Sequence, residues 1–413
     1  MRILYLEWSC FCNEDMKEAF KEHGHTLINF IFDNKCERRD SILENKLKSV
    51  MEKEKVDVVF SFNFFPLVSI VCHEQNIPYV SWTYDNPLVN LYAYPIIYPT
   101  NHIYFFDSES VQSFINAGIN TFHYLPMAAN SRRLEKLAKD FHADKALQDK
   151  YTCDVSFVGS LYTEGHNFFD RMKDLDEHTK GYIDGLFNSQ LQVSGVNFIE
   201  KNLSPVLEEL KKALPLSPNP DGVETFEYLF AQYVLNRKLT GIERQRLIGR
   251  LAYERNIDFH LYTKNPDFIP EHANLVTLPY GGSLPTVPEV ESISTSFKNR
   301  GTVDYYSQMP HVFCGSKINL NISLRSILSG IPLRAFDIMG VGGFLLSNYQ
   351  SDYSMHFVAG EDYIYYEDEN DFLSKIDYFL CHEKDRLEIA HNGKVRVESE
   401  HTFINRVPAL LSF

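Results

Sequence analysis

Apolar and β-branched residues gather in short runs along the first third of the chain: RILYLEW at 2–8, TLINFIF at 26–32, VDVVFSF at 56–62, IPYVSW at 77–82, HIYFFD at 102–107 and TFHYLP at 121–126. Between several of them the apolar spacing becomes helical, in NEDMKEAFKEHG, SILENKLKSVMEKEK, PLVSIVCHEQN and SESVQSFINAG. Gly24 and Gly118 stand where helix C-caps belong. Strands alternating with helices of about ten to fifteen residues predict a parallel sheet covered on both faces. The first domain is therefore expected to be Rossmann-like and to span residues 1–130.

After a charged helical stretch at 131–150, the rhythm restarts with CDVSFVG at 153–159. A long, mostly helical insertion follows, about 164–254, broken by proline and glycine near 215–222. Strands are then predicted at IDFHLYT (257–263), NLVTLPY (274–280), SKINLNIS (316–323), GGFLLS (342–347) and DYIYYED (362–368), with 281–300 as a Ser-, Thr-, Pro- and Gly-rich loop. Two helices, near 370–380 and 383–397, complete a second Rossmann-like domain over 151–398. The closing segment, about 400–413, is free to pack back on the first domain. Two such domains face each other across a cleft, and ligands of open parallel sheets bind beyond the carboxyl ends of the strands.

Composition narrows the function. At 413 residues, with 31 Phe and 24 Tyr, the chain has enough apolar mass for two cores. Its net charge of −15 repels phosphate backbones, and no basic run exceeds KNR at 298–300, so no nucleic-acid partner is expected. No run approaches the ~18 apolar residues of a membrane span. The opening MRILYLEWSC reads as a strand and not as a signal peptide. Seven scattered cysteines, at 10, 12, 36, 72, 153, 314 and 381, fit neither a zinc site nor a disulfide framework; they read as reduced thiols of a cytoplasmic protein.

Several chemistries lack their motifs. Neither first βα turn, LEWSCFCNED or FVGSLYTEG, carries G-x-G-x-x-G, which disfavours a nicotinamide or flavin enzyme. No P-loop, G-x-S-x-G or H-E-x-x-H sequence occurs, and no metal or cofactor is expected. Gly159 and Ser160 either let backbone N–H groups approach a phosphate or form an ordinary strand-end turn. The acidic YEDENDF at 366–372 opens a late helix, where acids cap the first turn.

The stretch SGIPLRAFDIMGVGGFLLSN (329–348) is the most informative. Pro332 and Gly340 bracket a helix of about eight residues, with Arg334 and Asp337 three apart on one face. The helix N-terminus points at the strands' carboxyl edge, where its free N–H groups attract phosphate. Arg334 adds a bidentate donor for the same phosphate, and Asp337 can accept from ribose hydroxyls. In SKINLNISLR (316–325), alternation places Ile318, Leu320 and Ile322 on one face and Lys317, Asn319, Asn321 and Ser323 on the other. That polar face belongs either to a central strand meeting a ligand or to a solvated edge strand. In VSWTYDNPL (80–88), Trp82, Tyr84, Asp85 and Asn86 leave a strand at its carboxyl edge, as a sugar platform or as an Asx-Pro turn.

Three segments together, IPYVSWTYDNP, GSKINLNISLRSILSGIPLRAFDIMGVGGFLLSN and IAHNGKVRVESEHTFINRV, resemble the CgeB-like (spore-maturation) glycosyltransferases. These are GT-B enzymes with a C-terminal domain of the glycosyl transferases group 1 type. The resemblance covers essentially the whole chain, least securely across the insertion. It implies an α/β GT-B fold, an acceptor-binding N-terminal half and a nucleoside-diphosphate sugar held by the C-terminal half. It also implies metal-independent transfer to a protein, glycan or small molecule, a surface or spore-coat component among the candidates. Lys317 and Arg334 are then expected to support the leaving diphosphate, with Asp85 near the acceptor hydroxyl. Gly159, Ser160, Tyr262, Asn319, Asn321, Ser329 and Asp337 are expected to line the donor site. Retaining relatives carry two glutamates eight positions apart around G-x-P-L; here the second position is Asp337 and the first is Ser329, which leaves a retaining outcome open. The competing reading is a nucleotide- or sugar-binding protein of the same shape without turnover.

Overall fold

The computed structural model describes residues 1–33, 38–163, 167–293 and 296–413. Cys36, the start of the insertion at 164–166 and positions 294–295 of the 281–300 loop lie outside the described residues.

Every apolar run of the first domain forms a strand: β1 (Arg2–Glu7), β2 (Thr26–Ile31), β3 (Val58–Phe62), β4 (Tyr79–Thr83), β5 (Asn101–Phe105) and β6 (Phe122–Tyr124). All pair in parallel in the order β2-β1-β3-β4-β5-β6. The second sheet contains β7 (Cys153–Val158), β8 (Asp258–Tyr262), β9 (Ser296–Asn299), β10 (Ser316–Asn321), β11 (Leu345–Asn348) and β12 (Ile364–Tyr366). Its order, β12-β11-β10-β7-β8-β9, is again wholly parallel. The α/β, two-domain Rossmann-like expectation is met. In each sheet the chain builds first to one side and then to the other, so a switch point lies between β1 and β3 and another between β7 and β10.

One strand falls elsewhere than predicted. NLVTLPY forms a short 3-10 turn at Ala273–Leu275, and Val276 and Leu278 pack into the insertion's own core beside Ile183, Phe187 and Leu239. The sheet position is taken by Ser296–Asn299, from the stretch read as loop, which pairs with β8 from Asp258 to Leu261. An apolar run serves a neighbouring core, while a polar run suits an edge strand.

β10 is central, so its polar face needs partners, and it has them. Ile318, Leu320 and Ile322 enter the apolar core of the second domain. On the other face Asn319 donates to the Phe313 carbonyl (3.1 Å) and accepts from Ser156 Oγ (3.2 Å). Asn321 donates to Ser347 Oγ (3.0 Å). The solvated-edge alternative is excluded.

The first sheet and the helix Leu333–Gly340 share one continuous core, which includes Phe106, Ala335, Phe336 and Ile338. The last helix, Phe403–Leu410, lies on the first domain: Phe403 meets Trp82 edge to face at 5.8 Å, and Tyr104 donates to the Ala409 carbonyl at 2.6 Å. Arg133 and Asp15 add a two-bonded ion pair, 3.0 Å at each contact, with both side chains largely buried. Among the described residues no helix is long and apolar enough to cross a membrane.

Candidate active site

A cleft of about 470 Å³ opens at the carboxyl ends of both sheets. That volume suits a nucleotide-sized ligand. Phe11, Tyr84, Asp85 and Asn86 line it from the first domain. From the second come Gly159 after β7, Tyr262 at the end of β8, Asn321 at the end of β10, and Arg334 and Asp337 on the helix Leu333–Gly340. The β7/β10 switch point therefore forms the floor, as the geometry of doubly wound sheets requires.

Two arginines dominate the floor. Arg244, 4% exposed, comes from the helix Asn236–Glu254. It donates to the Ser160 carbonyl (2.6 Å) and to the Ile322 carbonyl (3.1 Å from Nε), with Nη2 also on Ile322. Arg334 donates to Asn321 Oδ1 at 3.3 Å and lies over the Phe157 ring at 5.9 Å. Neither forms an ion pair with a carboxylate among the described residues. Two neighbours of Arg244 do: Arg246 pairs with Glu369, and Arg250 with Glu254 at 2.8 Å. Burial, and then the charge of Arg244, pull the Arg334 guanidinium down to about 10, so it stays cationic at neutral pH. Burial likewise lowers Arg244. Arg244 is buried and Arg334 half-buried, and two adjacent cations so placed without counter-ions are costly; a bound anion removes that cost. Gly159 makes room for them: a Cβ there would stand 3.2 Å from Arg334 Nη2.

Asp337, 3% exposed, lies on the same helix face. Burial pushes its carboxyl up to about 7, against the opposing pull of Arg133, and Tyr305 OH donates to Oδ1 at 3.5 Å. Its Oδ2 has no hydrogen-bond partner among the described residues. Three further buried polar atoms of cleft-lining residues share that condition: Tyr262 OH, Thr263 Oγ1 and Asn86 Nδ2. Buried polar groups are normally bonded, so four orphans around one cavity mark where a polar ligand belongs.

Across the cleft, Asp85 accepts from Asn63 Nδ2 at 2.6 Å, while Asn63 Oδ1 receives the backbone N–H groups of Tyr84 (3.2 Å) and Asp85 (3.3 Å). This bracket fixes the carboxylate at the β4 edge. The cleft walls withdraw water from it and raise its pKa, with Asn63 and the charge of Arg237 acting in the opposite sense.

The cleft thus gathers Asp85, Gly159, Ser160, Tyr262, Asn321, Arg334 and Asp337, and three other expected residues lie elsewhere. Lys317 sits at the amino end of β10, 48% exposed along its side chain, and pairs with Asp154 at 2.7 Å. Period-two alternation gives its face but not which end of the strand meets the cleft. Asn319 is spent on Ser156 and Phe313 inside the sheet. Ser329 belongs to the domain seam: its Oγ accepts from the Glu109 N–H (3.0 Å) and donates to Asp107 Oδ1 (3.3 Å). Asp107 also receives the backbone N–H groups of Leu328, Ser329 and Gly330 at 2.7 to 3.2 Å. The Gly159 N–H, expected to be open to a phosphate, donates to the Tyr262 carbonyl at 2.9 Å. Trp82 is buried in the first core and is no sugar platform. Of the acidic run, Asp368 caps the helix Glu369–Cys381 through the N–H groups of Asn370 and Asp371, as the capping alternative requires. Among the described residues no group of three or more His, Cys, Asp or Glu could hold a metal ion. Arg244 is not among the residues expected from the sequence, because nothing in TGIERQRLIGRLAYE sets it apart from Arg246 and Arg250.

Comparison with known proteins agrees with this geometry. Residues 244–412 match the sequence model of a family described as "Glycosyl transferase-like", a span that begins at Arg244 and includes Arg334 and Asp337. In structure the chain is similar to a glycosyltransferase from Rickettsia africae (TM-score 0.53, 9% identity, 99% of this chain and 98% of that one). It is similar to Anabaena HepE, solved in complex with UDP-glucose (0.52, 11%, all of both chains). It is also similar to sucrose-phosphate synthase from Thermosynechococcus elongatus (0.50, 9%, 100% and 97%). No curated protein matches it in sequence. These likenesses give the fold, two facing Rossmann-like domains of the GT-B kind. The matched domain gives the class of the C-terminal part, glycosyl transferase-like over residues 244–412, and with it the chain is an enzyme.

Proposed function

We propose that the chain transfers a sugar from a nucleoside-diphosphate sugar to an acceptor hydroxyl, without a metal ion. One observation carries this reading: a buried arginine and a half-buried one, neither ion-paired with a carboxylate among the described residues, stand beside an orphaned carboxylate oxygen in the interdomain cleft. Arg244 and Arg334 take the diphosphate, and Asp337 takes ribose hydroxyls, both its open Oδ2 and the adjacent Oδ1 being acceptors. HepE is solved with UDP-glucose, which makes that the first donor to test.

In the transfer, the bond between the anomeric carbon and the diphosphate oxygen breaks, and its electron pair leaves on the diphosphate. Fixed cations aimed at that developing charge are worth ~2.7–4 kcal/mol per donor. The acceptor oxygen bonds to the anomeric carbon, and its proton passes to Asp85. A raised carboxyl pKa suits that role, because a base works best when its pKa approaches the operating pH. Whether the anomeric configuration is kept follows from the face Asp85 serves, and product stereochemistry reads it directly.

The test is to incubate the protein with UDP-glucose and other nucleoside-diphosphate sugars and to follow release of the nucleoside diphosphate. Turnover with at least one donor, unaffected by a chelator, is expected. Tight nucleotide binding with no release for any donor, even with acceptors present, would favour the non-catalytic binding protein.

A further inference from the structure

A second cavity, about 490 Å³, adjoins the cleft and shares Asn86 with it. The first domain forms one wall, with Tyr92, Phe114 and Ser113; the insertion forms the other, with Glu200, Tyr228 and Gln232. The insertion is fastened over the cavity by backbone bonds to the first domain. The Val223 N–H donates to the Tyr92 carbonyl (2.7 Å) and the Tyr94 N–H to the Asp221 carbonyl (3.0 Å). Part of the second domain's chain thereby completes a site on the first.

The lining has two characters. Aromatic rings form a continuous face, Tyr92 against Tyr228 at 3.9 Å and against Phe114 at 5.2 Å between centroids. Beside it, Glu200 has one side-chain hydrogen bond among the described residues, from Gln232 Nε2 at 2.9 Å, and no ion pair. Burial raises its carboxyl pKa. A wholly apolar occupant would leave the Glu200 carboxylate desolvated with the Gln232 amide as its one side-chain hydrogen-bond donor among the described residues, which is costly. An anionic occupant would meet an uncompensated carboxylate. A ring with apolar C–H faces and several hydroxyls satisfies both walls.

We propose that this cavity is the acceptor subsite and that it takes a neutral glycan. The ring faces lie against Tyr92, Tyr228 and Phe114, and hydroxyls donate to Glu200 and receive from Gln232. The reacting hydroxyl passes Asn86, the residue next to Asp85, into the donor cleft. The inference rests on the glycosyltransferase reading, and the insertion becomes the element that selects the acceptor.

Binding of cellobiose, maltose and N,N′-diacetylchitobiose to the full chain, without nucleotide, is to be read by saturation-transfer NMR, with digalacturonate as the anionic counterpart. At least one neutral disaccharide should bind in preference to digalacturonate. Ser113→Trp, at an exposed position of the helix Ser108–Asn116, fills the cavity mouth and should abolish that binding. Glu200→Gln should weaken it about tenfold. Affinity for UDP should stay unchanged in both variants. The inference is overturned if none of the neutral disaccharides binds, if both variants bind them as the native chain does, or if digalacturonate is preferred. Absence of UDP binding to the native chain would sink the donor reading instead, while the glycan measurement is still read.

Discussion

The charges at the two ends of the second sheet behave differently. At its amino edge they are matched: Lys317 pairs with Asp154 at 2.7 Å and Lys298 with Asp258 at 2.8 Å, all partly exposed. At its carboxyl edge Arg244 is buried and Arg334 half-buried, neither is ion-paired with a carboxylate among the described residues, and Asp337 keeps one oxygen without a hydrogen-bond partner among them. Asp85, facing them, is bracketed by an asparagine. An exposed pair is worth ~0–1 kcal/mol and asks for no further explanation. Buried charges without counter-ions destabilise the empty fold, and binding of an oppositely charged ligand offsets that cost. The difference separates charges matched within the fold from charges proposed to serve a ligand.

Substitutions along this divide should fall in a definite order. Asp85→Asn removes the proposed proton acceptor while keeping shape, and glycosyl transfer should drop about 10²- to 10⁴-fold with UDP affinity unchanged. Arg334→Gln should lower the rate of nucleoside-diphosphate release about 10²- to 10³-fold in single-turnover assays.

Asp337→Asn should weaken UDP binding on the order of tenfold and also alter the pH dependence of stability. In the folded chain Asp337 titrates at about 7, against 3.8 for an ordinary aspartate. Above the lower value the unfolded chain gives up the proton that the folded chain still holds. The native chain therefore loses stability as pH rises from about 4 to 7, by about 2 kcal/mol between pH 5 and 7, and the loss then levels off. Denaturant titrations at pH 5, 7 and 8 should show this trend reduced in Asp337→Asn. Lys317→Gln should change stability by less than about 1 kcal/mol and leave UDP affinity untouched. A large loss of turnover there would erase the distinction between the two edges.

What the sequence makes legible follows from which physics is local. Strand and helix alternation is local, so every strand of the first sheet is readable, as is the helix bracketed by Pro332 and Gly340. Three residues apart on a helix means one face, so the sequence alone places Arg334 and Asp337 together. Which end of β10 meets the cleft depends on crossover direction, and Lys317 stands at the far end for a reason that alternation does not encode. Ser329 faces Asp107, more than two hundred positions away, and no local pattern predicts such a seam. Val276 and Leu278 carry enough apolar character for a strand, yet the insertion's core claims them. Arg244 resembles its two neighbouring arginines until the folded chain shows which of them lacks a carboxylate.

Calorimetric titration of UDP into the native chain, Arg334→Gln and Lys317→Gln tests the central claim most directly. The account predicts a loss of at least tenfold in affinity for Arg334→Gln and none for Lys317→Gln. Equal affinities in all three proteins would contradict it.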